Sequence, residues 1–446
     1  MRPEPLYCHA GRTYITPMAA AIFPQSHVEP ATSSEVATSP HTTAELVQLG
    51  GENLLGNYRQ APMVLVRGSG CVVTDADDRR YLDFAAGVAV NALGHAHPKL
   101  VAAIAEQAAT LMHVSNYFYN DQNVLLAQEL CQLSGFARAF FCNSGAEANE
   151  AMLKLARRWA FNAGKREKIR FVAFDNAFHG RTFATVNLTG TPSYREGFGP
   201  FESVTHVPYG DLVAAEAAMG DDVCGVFVEP VQGEGGVLPA PDGFLRGLRG
   251  LCDRFEALLL VDEVQTGVGR TGTFLGWEHG GVRPDAVSLA KGLGGGFPVG
   301  ALLVSERLTN VLTPGTHGST FGGNALASRA ARVVLEVLTR DGLMGSVRAR
   351  GEHLSHRLTA LAERFRDLCE GERGLGLMRG LVLKKGVDAR EALALAREHG
   401  VLLTIAGGQV LRFTPPLVVT DAEIDEATDR LAAALSELRL RMIAPG

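Results

Sequence analysis

Several short runs of this chain are apolar almost without interruption, and each ends in small or polar residues: "ARAFFCNSG", "IRFVAFDNAF", "VCGVFVEPVQGEGG", "LLLVDEVQTG" and "DAVSLAKG", with "VGALLVS" close behind the last. Between them, apolar positions recur at helical spacing, as in "AEANEAMLKLARRWAFNAG" and "FLRGLRGLCDRFEA". Strands that need no polar face are covered on both sides. The pattern therefore predicts an α/β fold with a mostly parallel central sheet between helices. In such sheets chemistry gathers at the carboxyl ends of the strands, and most candidate residues below sit at such an end.

From about Ala325 the texture changes to long amphipathic helices, "ALASRAARVVLEVLTRDG" and "SVRARGEHLSHRLTALAERFRDL". Short strands follow in "LGLMRGLVLKK" and "QVLRFTPPLVV", then a closing helix from Asp421 to about Arg441. This reads as a smaller α+β domain, joined by the "RGSGCVVTDADDRRYLDF" hairpin near the N-terminus. The expected division is a disordered extension over 1–45, a segment over 46–84 that contributes to the small domain, a large domain over 85–325 and a C-terminal small domain over 326–446. The extension is read from "HVEPATSSEVATSPHTTAE", rich in Ser, Thr, Pro and Ala without periodicity. It lacks the basic lead and apolar core of a targeting peptide, and Met18 offers an internal start.

Composition narrows the class of partner. A net charge of -6 on 446 residues gives no footprint for nucleic acid or an anionic membrane. Seven cysteines without a CxxC pair suit a reducing, cytoplasmic setting better than a disulfide framework. No apolar run reaches the roughly 20 residues of a membrane span. A small molecule is the expected partner.

The chemistry begins at Lys291, which ends the run "DAVSLAK" and precedes five glycines. A lysine buried at a strand end loses charge through desolvation, and a neutral amine is what covalent bonding to an aldehyde cofactor requires. The bland alternative is a lysine that snorkels to solvent or closes an ion pair. A phosphate loop is a second rival, yet GxxxxGK[ST] is absent and the glycines follow the lysine.

Asp262, at the end of "LLLVD", resembles a magnesium ligand of an ATPase until the missing Walker A partner is noticed. Beneath a pyridine ring an aspartate has another use, since pyridoxal phosphate acts as an electron sink only with its ring nitrogen protonated. Gln265 is placed to reach the ring hydroxyl. "CNSGAEANEA" supplies Ser144, Gly145 and Ala146 at a helix start, where free amides and the dipole favour a phosphate.

Taken in order, "NSGAEANE", "FHGRT", "VEPVQGEGG", "LLLVDEVQTGVGRTG", "SLAKGLGGGFPVGA" and "HGSTFGGN" resemble the class III pyridoxal-phosphate-dependent aminotransferases of fold type I. The likeness runs from about Asn57 to the C-terminus. Within the class it is most similar to the acetylornithine branch, with "GFGP" and "RFTPPLVV" in support. The resemblance implies a catalytic pair, Lys291 and Asp262, with Phe178 stacked on the cofactor ring and Gly145 and Ala146 at its phosphate. It implies that Thr320 reaches the phosphate of a neighbouring subunit, so that the enzyme is a homodimer with shared sites. Arg181, with Ser319 nearby, would bind the carboxylate of an N-acylated ornithine. Arg412 would grip the α-carboxylate of glutamate or 2-oxoglutarate, and Glu229 would pair with Arg412 while the donor occupies the site.

The same residues would serve succinylornithine, ornithine, 4-aminobutyrate or a lysine-pathway intermediate with a blocked α-amine. An aminomutase on the same fold, or a silent cofactor-binding regulator, are readings of other kinds. Nothing but chemistry calls for Lys291, Asp262 and both arginines together, which weighs against silence. "GHAHP" places His95 and His97 in an HxH pattern, but no third ligand accompanies them and no metal is expected. The charges of "KLARRWAFNAGKREKIR" read as a solvated helix face.

Overall fold

The computed structural model describes residues 41–199, 203–340 and 342–443. Its centre is a seven-stranded sheet, in the order Arg138–Cys142, Gly300–Val304, Ala286–Leu289, Leu258–Asp262, Val223–Val228, Arg170–Phe174 and Val204–Val207. Gly300–Val304 runs antiparallel to both neighbours, and the other pairings are parallel. Every residue of Leu258–Asp262 and of Val223–Val228 is buried, which is why these strands read as unbroken apolar runs. Each Leu or Val buried there contributes on the order of 1.5–3 kcal/mol by leaving water.

The register decides where the chemistry lies. Asp262 stands opposite Ser288, three residues before Lys291, so the ends of the two central strands meet at one edge of the sheet. At the same edge the strand Arg138–Cys142 feeds the helix Gly145–Asn162. That helix is stopped at its start by Ser144, whose hydroxyl accepts from the Glu147 amide at 3.2 Å.

Two four-stranded sheets lie outside this core. One is antiparallel, in the order Cys369–Leu375, Met378–Leu383, Val410–Phe413 and Thr404–Ala406. The single strand expected over "LGLMRGLVLKK" is instead split by a turn at Gly376, whose φ of +54° favours glycine. The other sheet joins Leu65–Ser69, Val72–Asp75 and Arg80–Asp83 to Val401–Leu402, which pairs parallel with Arg80–Asp83. The long helices are Ala325–Arg340, Leu343–Arg364 and Asp421–Ile443.

Most of the expected N-terminal extension, 1–40, lies outside the described residues. Its boundary at 45 is corrected: a helix already begins at Thr43 and runs to Asn53. Thr42 and Glu45 form a capping box, each satisfying the other's amide, and "TTAE" carries that signal in the sequence.

Candidate active site

Where the strand ends converge there is a cavity of about 430 Å³. Lys291, Asp262, Gln265, Glu229, Phe178, Arg181 and the Ser144–Ala146 turn all line it. The structure thus brings together nine of the twelve residues expected from sequence. Arg412 stands just behind, bonded to Gln265, while Ser319 and Thr320 lie elsewhere.

Asp262 is 4% exposed and fully engaged. Its Oδ2 accepts from Asn149 Nδ2 at 2.7 Å and from His179 Nδ1 at 2.8 Å, and its Oδ1 accepts from the Val264 amide at 2.9 Å. These donors replace the water that burial removed, and they fix the direction of the carboxylate. Asn149 and His179 were not singled out in sequence, although both lie inside motifs quoted above.

Lys291 opens a short 3₁₀ turn, Lys291–Gly294, directly after the strand Ala286–Leu289, and its own φ is +43°. A non-glycine residue in this region is strained, and such strain collects at functional sites. Burial lowers its ammonium below the ordinary lysine value; Arg412 adds to that effect, while Glu234 and Asp262 oppose it.

The turn before Gly145–Asn162 has the form of an anion cup. Ser144 O accepts from Ala148, and Ser144 Oγ takes the Glu147 amide, which leaves the amides of Gly145 and Ala146 at the cavity wall. The turn is closely backed: a Cβ on Gly145 would stand 2.7 Å from Val264 Cγ1, and one on Gly300 2.4 Å from Ser144 O.

Arg412 is 2% exposed and donates to Thr404 Oγ1 at 2.9 Å, to Gln265 Oε1 at 3.2 Å and to Glu234 Oε1 at 2.5 Å. The expected pairing with Glu229 is therefore corrected. The Glu229 carboxylate accepts from the amides of Phe178 and Gly233 at 3.3 and 3.4 Å, while Glu234, five residues on and past the turn at Gly233, meets the guanidinium. Burial would raise the Glu234 carboxyl, but Arg412 and then Lys291 outweigh it and hold the group below its ordinary value. Glu229 makes no ion pair with Lys or Arg among the described residues: burial, opposed by His179 and reinforced by the charge of Asp262, pushes it up to about 7.

Arg181 differs from Arg412 in having no acidic partner among the described residues. Its guanidinium lies 3.7 Å from the ring centroid of Tyr194 and 5.5 Å from that of Phe178. Ser319 lines a separate hollow with Tyr117, Phe118 and Tyr119, and Thr320 is exposed outside both.

This set of groups fits pyridoxal phosphate: an amine of lowered basicity, a fixed carboxylate facing it across one cavity, and a helix start with spare amides. The family model for class III aminotransferases matches residues 56–435. The chain belongs to the class III aminotransferases. Pyridoxal 5'-phosphate is the cofactor of this aminotransferase. Among its relatives, the acetylornithine aminotransferase of Myxococcus xanthus is 49% identical over 402 residues, covering 90% of this chain and 99% of that protein. The succinylornithine transaminase of Salmonella typhimurium is 48% identical over 385 residues, or 86% and 94% of the two chains. The crystal structure of the N-acetylornithine aminotransferase from Stenotrophomonas maltophilia superposes with a TM-score of 0.77 at 39% identity, covering 89% of this chain and 100% of that one. The mostly parallel sheet and the fold type expected from sequence are those of this aminotransferase family.

One histidine of "GHAHP" has another occupation. His95 Nε2 lies 2.7 Å from Asp83 Oδ2, beside the strand Arg80–Asp83.

Proposed function

We propose that this aminotransferase moves the terminal amino group of N-acetylornithine to 2-oxoglutarate, giving N-acetylglutamate semialdehyde and glutamate, a step of arginine biosynthesis. The observation that carries this reading is an asymmetry between two arginines: Arg181 faces the cavity with no acidic partner among the described residues, whereas Arg412 is held by Glu234. A donor whose α-amine is acetylated brings one carboxylate and needs one cation. Arg181 supplies it. 2-Oxoglutarate brings two carboxylates and calls on Arg412 as well, once Glu234 has turned away.

Bound pyridoxal phosphate supplies the electron sink for the charge left when the amine-bearing carbon loses its proton. The chain's own residues do the remaining work. Lys291 Nζ, made less basic by burial, would hold the cofactor covalently and would move the proton off the substrate carbon and back. Asp262, aimed by Asn149 and His179, would keep the ring nitrogen protonated. Gln265 would serve the ring hydroxyl, Gly145 and Ala146 the phosphate, with Ser144 capping their helix, and Phe178 would cover a ring face.

In the cell we assign the enzyme to the cytoplasm; among the described residues no helix is long and apolar enough to cross a membrane. We further read it as a homodimer in which Thr320 completes the phosphate site of the second subunit and Ser319 joins Arg181 there. In support, Tyr117 and Tyr119, which line the hollow beside Ser319, are 93% and 94% exposed. Residues 85–325 would form the large domain, with 46–84 joining 326–446 in the small one.

Succinylornithine is a second reading, because a relative of that name is nearly as similar as the acetylornithine one. The test is to compare kcat/KM for N-acetylornithine, N-succinylornithine, ornithine and 4-aminobutyrate with 2-oxoglutarate as acceptor. Preference for ornithine or 4-aminobutyrate would overturn the N-acyl assignment. Product formation without any keto acid would point to an aminomutase.

A further inference from the structure

Tyr194 belongs to none of the motifs that identified the site, yet its ring carries the cation on which donor recognition depends. It ends the short 3₁₀ turn Pro192–Tyr194, which is tied to the body of the protein by the next residue: Arg195 Nη1 lies 3.0 Å from His206 Nδ1, and His206 Nε2 lies 3.1 Å from Leu188 O. Phe178 meets the Tyr194 ring edge to face, with centroids 6.2 Å apart at 90°. The Arg181 guanidinium, 3.7 Å from the Tyr194 centroid, is close enough to lie against the ring face.

Arg181 is exposed and, among the described residues, has neither a carboxylate nor a hydrogen-bond partner to hold it. A long side chain in that position samples many rotamers, and a bidentate bond to a carboxylate requires one. Stacking occupies the face of a guanidinium and leaves its edge N–H groups free, and the edge is what a carboxylate engages. We infer that Tyr194 is a positioning residue for the donor: it holds Arg181 by the face so that the guanidinium edge is presented, already ordered, to a substrate carboxylate. This deepens the proposed function and rests on its reading of Arg181 as the carboxylate receptor.

The consequence is selective. Loss of the Tyr194 ring weakens ligands in proportion to their use of Arg181 and spares those without a carboxylate. The experiment uses the holoenzyme and its Tyr194→Leu, Tyr194→Phe and Tyr194→Trp variants. Calorimetry with N-acetylnorvaline, which keeps the carboxylate and lacks the reactive amine, measures binding without turnover. Tyr194→Leu is expected to weaken it by about 3- to 30-fold, the range of one cation–π contact. Tyr194→Phe and Tyr194→Trp, which keep a ring face, are expected to stay within about twofold of the parent.

In turnover, Tyr194→Leu is expected to raise KM for N-acetylornithine by the same factor with kcat nearly unchanged, and to leave kcat/KM for N-acetylputrescine, the same chain without its carboxylate, where it was. Equal losses on both donors, or N-acetylnorvaline binding unchanged in Tyr194→Leu, would overturn the inference. If Tyr194→Leu does not fold, loss of binding in the well-folded Tyr194→Phe would overturn it too. Arg181→Met separates the two levels of the argument: no preferential loss on N-acetylornithine there removes the reading of Arg181 itself, whatever Tyr194 does.

Discussion

Glu234 reaches Arg412 through one contact, Oε1 to Nη1 at 2.5 Å, and Gln265 stands on the same nitrogen at 3.2 Å. The pair is largely dry, with the arginine 2% exposed. A buried guanidinium that loses its only carboxylate is costly, on the order of 3–5 kcal/mol, so whatever draws Glu234 away must bring a negative charge of its own. The α-carboxylate of 2-oxoglutarate or glutamate would do so, and the uncharged methylene beside the donor's reacting amine would not.

Glu234→Gln keeps the shape of the pair and removes its charge. Arg412 is then open to carboxylates at all times, and the glutamate half-reaction should gain on the N-acetylornithine half-reaction by about tenfold or more. Stopped-flow measurement of both rates reads this directly. Glu229→Gln, whose carboxylate touches amides and no cation, should leave the ratio within about twofold. A ratio that moves with Glu229 and ignores Glu234 would reverse the roles assigned here.

Lys291→Ala removes the group proposed to carry the substrate proton. A drop in kcat of at least about a hundredfold is expected, in keeping with the loss of a positioned acid–base group. Cofactor retention should suffer less, because Asp262 and the amides of Gly145 and Ala146 remain. Equilibrium dialysis against pyridoxal phosphate tests that, and complete loss of binding would assign the cofactor's hold to the lysine alone.

Gly145→Ala places a Cβ 2.7 Å from Val264 Cγ1, too close for either to stay where it is. The helix start must shift, and the cup with it. Overpacking of this kind costs about 1–3 kcal/mol, so affinity for pyridoxal phosphate should fall by roughly 5- to 100-fold. An affinity unchanged by the added methyl would show that the phosphate is bound elsewhere.

Two buried carboxyls, Glu229 and Glu263, are each pushed up to about 7, in both cases first by burial. Glu263 receives bonds from the Thr266 hydroxyl and from the amides of Gly276 and Trp277, which oppose the shift without cancelling it. A carboxyl that is raised in the folded chain binds its proton more tightly there than when unfolded. The stability it contributes is present below about pH 4.5 and is lost as pH rises towards 7. Denaturant titrations of the apoprotein between those limits should show a stability that declines with pH from this source. Glu263→Gln should flatten the decline, and an unchanged slope would mean that its hydrogen bonds win over burial.

Much of the site was legible because sheet chemistry writes itself at strand ends. Asp262 and Lys291 each close an apolar run, and the helix start at Gly145 follows another. What pairs with Arg412 was not legible, because the answer depends on how closely the strand Val410–Phe413 approaches the turn after Val231–Gln232, a contact between residues 178 positions apart. Glu229 and Glu234 lie in one short motif, and only the turn at Gly233 decides which of them faces the guanidinium. Tyr194 was missed for a different reason. Its work is done through another residue's side chain, and no spacing along the chain records that. The capping box at Thr42 was the reverse case: a local signal stood in plain view inside a stretch whose composition suggested disorder.

The strand Val401–Leu402 completes a sheet whose other three strands were laid down before residue 84. During synthesis that first hairpin therefore leaves the ribosome with an open edge at Arg80–Asp83, and its partner follows only after more than three hundred further residues. An unpaired edge of this kind invites the wrong neighbour. Closing it last makes this sheet a late folder, and it ties an early and a late segment of the chain into one unit that neither an N-terminal nor a C-terminal fragment can rebuild alone.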